Sequence, residues 1–178
     1  MQPLVVCFSS LGDMIEKGAD LYAKIAELFA ATYPADNVIF LGVGTVPPSP
    51  AIVHLRAMPQ TALDALYQRT VDIIFNLDRT DRTHGWPLGA EGMVQGAVLF
   101  STDLHNMNER NGYHFGDEVF IVDEARINRT VDRLHAYYGD RDMLHRHSLA
   151  DQRRAHDLFG FDKQMRVILR AIDDRIGG

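Results

Sequence analysis

Val71-Asp72-Ile73-Ile74-Phe75-Asn76-Leu77, the polar stretch Asp78 to Gly85, the segment Leu88 to Gln95, then Gly96 and Ala97-Val98-Leu99-Phe100-Ser101 together decide the fold. Both apolar runs have strand length and are rich in β-branched and aromatic residues, as strands covered on two faces are. The segment between them is long enough for a short helix, which Gly96 ends by supplying a left-handed residue. Strand, helix and strand within about 30 residues make a βαβ unit. Such a unit runs its two strands parallel and joins them by a right-handed crossover.

The same rhythm extends in both directions. Leu4 to Phe8 is a short apolar run that opens into Ser9-Ser10-Leu11-Gly12. After Lys17-Gly18, Leu21, Ile25, Leu28 and Phe29 recur at helical spacing as far as Tyr33-Pro34. Val38 to Leu41 predicts a second strand, closed by Gly42-Val43-Gly44 and by Pro47, Pro48 and Pro50, which no regular element accommodates. Ile52 to Leu55 is a third strand, and Pro59-Gln60-Thr61 opens a helix with Thr61 as its cap and Leu63, Leu66 and Tyr67 turned inward. Toward the C-terminus, Glu118 to Val122 gives a last strand after the loop Asn111 to Gly116. Ile127, Val131, Leu134 and Tyr138 then mark a long helix, and from Asp142 onward the chain reads as helical only. The fold class is therefore α/β: a Rossmann-like, doubly wound, mostly parallel sheet of about six strands with C-terminal helices. Residues 1–178 form one domain.

Composition narrows the function. Apolar residues make up 46% and charged residues 24% of the 178-residue chain, so a packed core is expected, not disorder or a bundle of membrane spans. A formal charge of -6 disfavours a surface that tracks nucleic-acid phosphates. Cys7 is the single cysteine, which excludes an internal disulfide and a cysteine-based zinc site and fits a reducing compartment. Met1-Gln2-Pro3 and the short run after it lack the pattern of an export leader, so a cytoplasmic location is expected, without an integral membrane segment. His135, His145, His147 and His156 fall in predicted helices among arginines without ligand spacing, so they are read as solvated and no protein-bound metal is expected. There is no Walker loop and no Gly-x-Ser-x-Gly elbow.

In open parallel sheets ligands bind outside the carboxyl ends of the strands, which directs attention to the loops after Phe8, Leu41, Leu55, Leu77 and Ser101. Lys17-Gly18 stands at a predicted helix start, where a lysine beside free amides suits a phosphate; a merely solvated lysine is the alternative. Gly85-Trp86-Pro87-Leu88-Gly89 lets backbone approach a ligand closely ahead of another helix. Glu91, expected in the first turn of that helix, can accept paired hydroxyl hydrogen bonds from a ribose or simply stabilise the helix dipole.

The order of these motifs resembles the C-terminal domain of GT-B glycosyltransferases of the large retaining group 1 family, whose signature is two glutamates separated by seven residues. Val5 to Ser10 stands where that family has Gly-Arg-Leu, Lys17-Gly18 where it has Lys-Gly, and Val38 to Gly44 where a strand ends in a glycine pair. Val53 to Pro59 matches the turn that meets the nucleobase. Leu66 to Ile73 matches the segment ending in Ala-Asp, and Gly85 to Gly96 matches the Phe-Gly-Leu to Glu-Ala-Met-Ala-x-Gly block. Two positions depart: Ser10 replaces the family's arginine, and Thr83 stands where the first glutamate belongs, with Asp81 and His84 as nearby substitutes.

The resemblance implies a hexosyltransferase donor domain that binds a nucleoside-diphosphate sugar. Lys17 would meet the diphosphate, the main chain near Arg56 to Met58 would read the base, and Glu91 would hold the ribose. His84 and the segment Gly85, Trp86, Pro87, Leu88 and Gly89 would border the diphosphate and the sugar. No catalytic residue is assigned and no cofactor is implied beyond the donor substrate. The acceptor would be held by an N-terminal domain, in cis or in trans, leaving this chain an inactive half by itself. The competing expectation is a non-catalytic nucleotide-binding or regulatory module on the same sheet.

Overall fold

A computed structural model describes residues 2–10, 15–79, 86–102 and 119–160. Six strands form one sheet: β1 (Leu4–Ser10), β2 (Val38–Gly44), β3 (Ile52–Leu55), β4 (Ile73–Asn76), β5 (Val98–Ser101) and β6 (Val119–Ile121). Their order across the sheet is β3-β2-β1-β4-β5-β6. Every adjacent pair is parallel, with Val6 opposite Phe40 on one side and opposite Ile73 on the other. The expected doubly wound α/β sheet is the observed one.

The helices are α1 (Ala19–Thr32), α2 (Gln60–Thr70), α3 (Trp86–Val94), α4 (Ile127–Gly139) and α5 (Arg141–Phe159), with a 3-10 turn at Glu124–Arg126. They divide between the two faces because side chains alternate along each strand. Leu4, Val6 and Phe8 of β1 pack with Tyr22, Ile25 and Phe29 of α1 and with Val131, Leu134 and Tyr137 of α4. Val5 and Cys7 pack instead with Leu63 and Tyr67 of α2, Met93 of α3 and Ala155 of α5. The Cys7 thiol is fully enclosed, and burial pushes it up to about 12, so it stays neutral.

Several local expectations change. The helix after Pro59 starts at Gln60 without a side-chain cap: the Pro59 carbonyl accepts from the Ala62 and Leu63 amides, and Thr61 is simply an exposed helical residue. As the prolines lead one to expect, the link between β2 and β3 contains no helix. Thr45 donates its amide to the Ser10 carbonyl, Val46 is buried, and the Ser49 hydroxyl donates to Glu27 of α1 at 2.9 Å. The proline-rich segment thus lies as an extended strap across the α1 face. Gly42 makes room for it, since a Cβ there would stand 3.0 Å from side-chain atoms of both Val46 and Ile52. Of the histidines expected to be solvated, His135 is exposed, lying 3.9 Å from the Tyr33 ring with Nδ1 2.6 Å from Asp36, whereas His147 is half-buried with Nδ1 2.6 Å from the Tyr137 hydroxyl.

An amphipathic helix at the C-terminus can pack on its own sheet or face a partner. The described one, α5, packs on the sheet through Leu144 and Ala155; the segment Gln164 to Ile176 lies outside the described residues. Asp151 anchors α5. It is fully buried, and its carboxylate accepts the amide of Leu99 in β5 at 2.8 Å. Asp151→Ala leaves that amide without its acceptor, which costs about 2–3 kcal/mol for a bond to a charged group. Urea unfolding should show a lowered midpoint with an unchanged m-value, whereas an unchanged midpoint would show that the bond is not holding α5 to the sheet.

Candidate functional site

Because every strand is parallel, the carboxyl ends of β1 to β5 open on one edge of the sheet. The chain winds from β1 outward through β2 and β3, then returns to the centre to build β4, β5 and β6. The winding reverses between β1 and β4, the switch point outside which open parallel sheets have their ligand-binding crevice. Ser10, Asn76, Asp78 and Ser101 are buried polar residues at or just beyond the ends of β1, β4 and β5. The Ser10 hydroxyl, where the resembled family carries arginine, has no hydrogen-bond partner. Polar side chains concentrated at one end of an otherwise apolar sheet mark the edge where a polar ligand can be received.

The turn Ile15 to Gly18 brings Lys17 to this crevice. The Gly18 amide donates to the Ile15 carbonyl at 3.1 Å, and Gly18 takes φ 73°, the left-handed conformation that glycine adopts without a steric cost. Its backbone lies directly on Leu77, the residue after β4: a Cβ would sit 2.3 Å from the Leu77 carbonyl oxygen. Lys17 is therefore carried against the end of β4, and its Nζ donates to Oδ2 of Asp78 at 2.5 Å. The lysine side chain is 30% exposed and that of Asp78 only 5%, so the lysine is the more accessible member of the pair.

Arg79 fixes this arrangement from below. Its amide donates to the Glu16 carbonyl and its guanidinium to the Ile15 carbonyl, both at 2.8 Å. The guanidinium also spans Asp20 at 2.6 and 3.2 Å and Glu124 at 2.6 and 3.1 Å. The hydrogen bonds to Glu124 and Asp20 push the arginine's pKa up further. Burial works against ionisation of Asp20, yet Arg79 holds its carboxyl below the usual range. Arg79 escapes the sequence reading, which takes Asp78 to Gly85 as one polar loop. The available signal is a charged pair, Asp78-Arg79, placed immediately after a buried strand.

The second part of the site surrounds α3. That helix begins at Trp86, two residues before the sequence predicts, so Glu91 stands in its second turn and the first turn holds no acidic residue. A dipole-stabilising role for Glu91 loses its basis, because that effect fades beyond the first turn. Its carboxylate instead accepts from the Gln60 side chain at 3.0 Å, and Gln60 also donates to Asp64 at 2.9 Å. Glu91 is thus joined to the start of α2, directly after the loop that carries Arg56 and Met58. Arg56 is exposed, and Met58 is partly buried against the α2 side of the core. Gly89 is turned toward the sheet, where a Cβ would lie 3.3 Å from Leu99; Gly92 is tighter still, 2.7 Å from Ile74. Trp86, Pro87 and Leu88 form the start of α3, while His84, Gly85, Asp81 and Thr83 lie outside the described residues.

The structure therefore brings Lys17 to Asp78 at the switch point and Glu91 to Gln60 at the start of α2. Among the described residues no group of three or more histidine, cysteine or acidic side chains could hold a metal ion, and no helix is long and apolar enough to cross a membrane. A depression of about 230 Å³ lies at the opposite, amino edge, lined by residues including Asp72, Gly96, Arg141 and Ser148. Several of its polar groups are engaged structurally: Asp72 accepts from the Val5 amide at 2.8 Å and from Arg141 at 3.3 Å, and Ser148 donates to the Gly96 carbonyl at 2.5 Å.

No protein-family model matches the sequence, and no curated protein matches it. Solved structures match it by shape. HepE of Anabaena, in complex with UDP and glucose, superposes with a TM-score of 0.74 at 14% identity, over 96% of this chain and 48% of HepE. A mutant of S. aureus TarM, in complex with fondaparinux, alpha-GlcNAc-glycerol and UDP, gives 0.73 at 10% identity over 93% of this chain and 34% of its own. The C-terminal domain of the glycosyl transferase group 1 family protein LpcC of Francisella tularensis gives 0.68 at 12% identity over 89% of this chain and 86% of that domain. The chain thus spans between a third and a half of HepE and TarM and most of the LpcC domain. At these identities the likeness is one of fold, and the fold is the Rossmann-like α/β architecture that this chain shares with all three.

Proposed function

We propose that the domain binds a nucleoside-diphosphate sugar at the carboxyl edge of its sheet and serves as the donor half of a retaining, GT-B type hexosyltransferase. The observation that carries this reading is the position of Lys17, held by the Gly18 turn and by Asp78 at the point where the winding of the sheet reverses. An ammonium has three donors, so Lys17 can keep Asp78 and still donate to a phosphate. The α3 N-terminus opens on the same edge and adds backbone amides that favour an anion. Glu91 offers a carboxylate to the ribose hydroxyls, and the main chain from Arg56 to Met58 reads the base. His84 and Gly85 to Gly89 border the diphosphate and the sugar.

In such a site the protein lowers the barrier mainly by stabilising the departing diphosphate, with the acceptor positioned by a second, N-terminal domain. That domain acts in cis or in trans, and the protein works in the cytoplasm with no cofactor beyond its donor. Hexosyl transfer in carbohydrate biosynthesis is the activity this assignment implies. A second reading, a non-catalytic nucleotide-binding or regulatory module, is favoured by Ser10, a buried hydroxyl where the resembled family carries an arginine.

Two substitutions test the division of the ligand. Lys17→Ala removes a charge-assisted contact worth about 1.5–3 kcal/mol, so calorimetry should show nucleoside diphosphates weakened by at least about tenfold and the bare nucleoside unchanged. Glu91→Gln should weaken diphosphate and nucleoside alike, because the ribose is common to both. Equal losses from both mutants with both ligands, or no loss at all, would sink the assignment of these two residues.

A further inference from the structure

In the donor-site reading the buried carboxylate of Asp78 only holds Lys17 in place, and its charge has a further consequence. Lys17 and Arg79 are the described cations of the segments that follow β1 and β4, and neither presents surplus positive charge: Lys17 is paired with Asp78, and Arg79 is shared between Asp20 and Glu124. Any phosphate oxygen that accepts a hydrogen bond from the Lys17 ammonium shares that nitrogen with Asp78 Oδ2. Two oxygens on one tetrahedral ammonium stand about 4.5 Å apart, a separation at which one further unit charge matters.

We propose that Asp78 is a specificity-determining residue which cancels the preference of Lys17 for the more highly charged phosphate, so that the site does not hold the free nucleoside diphosphate in preference to the nucleoside-diphosphate sugar. This rests on the donor-site reading. The diphosphate of a nucleotide sugar is esterified at both ends and carries one negative charge on each phosphorus. The free nucleoside diphosphate has a terminal phosphate whose second ionisation lies near pH 6, so it carries one charge more at neutral pH. An isolated lysine would reward that extra charge, and the cleaved nucleotide would remain bound. A lysine with a buried carboxylate on the same nitrogen does not, and the nucleotide left after transfer dissociates instead of blocking the next donor.

The test compares UDP with its β-methyl ester, and GDP with its β-methyl ester, by calorimetry at pH 7.5. Each pair differs by one charge and one methyl group, with no sugar to complicate the contacts. Wild-type protein should bind the two members of the tighter-binding pair within about threefold of each other, and Asp78→Asn should shift that ratio about tenfold in favour of the free diphosphate. The wild-type ratio needs no variant, so the proposal can fail even if Asp78→Asn does not fold. A wild-type preference of tenfold or more for the free diphosphate, or an Asp78→Asn ratio equal to that of wild type, overturns this inference while nucleotide binding itself stands. Absence of binding of all four ligands to both proteins overturns the donor-site reading and this inference together.

Discussion

Gly18→Ala should cost about 3–4 kcal/mol of stability and lower the melting temperature by roughly 8–15 °C for a domain of this size. Two effects add. Gly18 holds φ 73°, where an L-residue is strained by about 1 kcal/mol. The new methyl carbon would also lie 2.3 Å from the Leu77 carbonyl oxygen and 2.6 Å from the Leu77 Cβ. Neither contact can be relieved by a side-chain rotation, because a backbone oxygen and a Cβ are fixed by the strand that leads into them. Either α1 or the end of β4 must move, and Lys17 moves with it. Gly139→Ala is the matched control: its Cβ meets nothing within 4 Å, and the position ends α4. Differential scanning calorimetry should find it neutral or slightly stabilising, since alanine restricts the unfolded chain. Equal melting temperatures for the two variants would show that α1 does not ride on Leu77 in solution.

The second large effect concerns turnover. On the proposed reading the reacting carbon lies in a cleft between two domains, and this chain supplies one wall. Proximity and orientation account for about 7–11 kcal/mol of a barrier, so a missing acceptor wall should abolish measurable transfer and not merely slow it. Incubated alone with radiolabelled nucleotide sugars and a panel of acceptors, the chain should show no multiple-turnover transfer. Supplying an N-terminal acceptor domain, fused or in trans, should restore it. Robust transfer by the chain alone would contradict the half-enzyme assignment and point to an acceptor site among the loops after Leu77 and Ser101.

The legible and illegible parts of this protein follow from how far apart the interacting residues lie. Runs such as Leu4 to Phe8 and Val98 to Ser101 are apolar on both faces, so strand identity can be read locally, and the alternation with helices implies parallel pairing. The glycines at 18, 44 and 96, each with a positive φ, also announce turns, whereas Gly42 lies inside β2. Their tertiary reasons do not show in the sequence: Gly18 is dictated by Leu77, far away along the chain, and Gly42 by a strap whose prolines read only as a loop. By propensity Thr61 is a better cap than Pro59, yet the proline's fixed φ and free carbonyl open the helix first.

At the candidate site the strand-end rule directs attention to the segments that carry Lys17 and Glu91, but not to their partners. Asp78, Arg79 and Gln60 act through ion pairs and hydrogen bonds that join separate loops, and no local pattern encodes such pairing. Asp151 is the strongest instance. A charged residue in a helix that reads as amphipathic is in fact buried against the amide of a strand.

The central claim is that the carboxyl edge between β1, β4 and the start of α2 receives a nucleotide. Titration of uniformly 15N-labelled protein with UDP and GDP, followed by amide chemical shifts, tests it most directly. The account predicts saturable shifts, with a midpoint on the order of 0.1–1 mM for at least one nucleotide, at the amides of Lys17 and Gly18, of Ala57, Met58 and Gln60, and of Gly89 to Glu91. Shifts confined to Asp72, Gly96, Arg141 and Ser148 at the amino edge, or no saturable shift with either nucleotide up to about 10 mM, would contradict it.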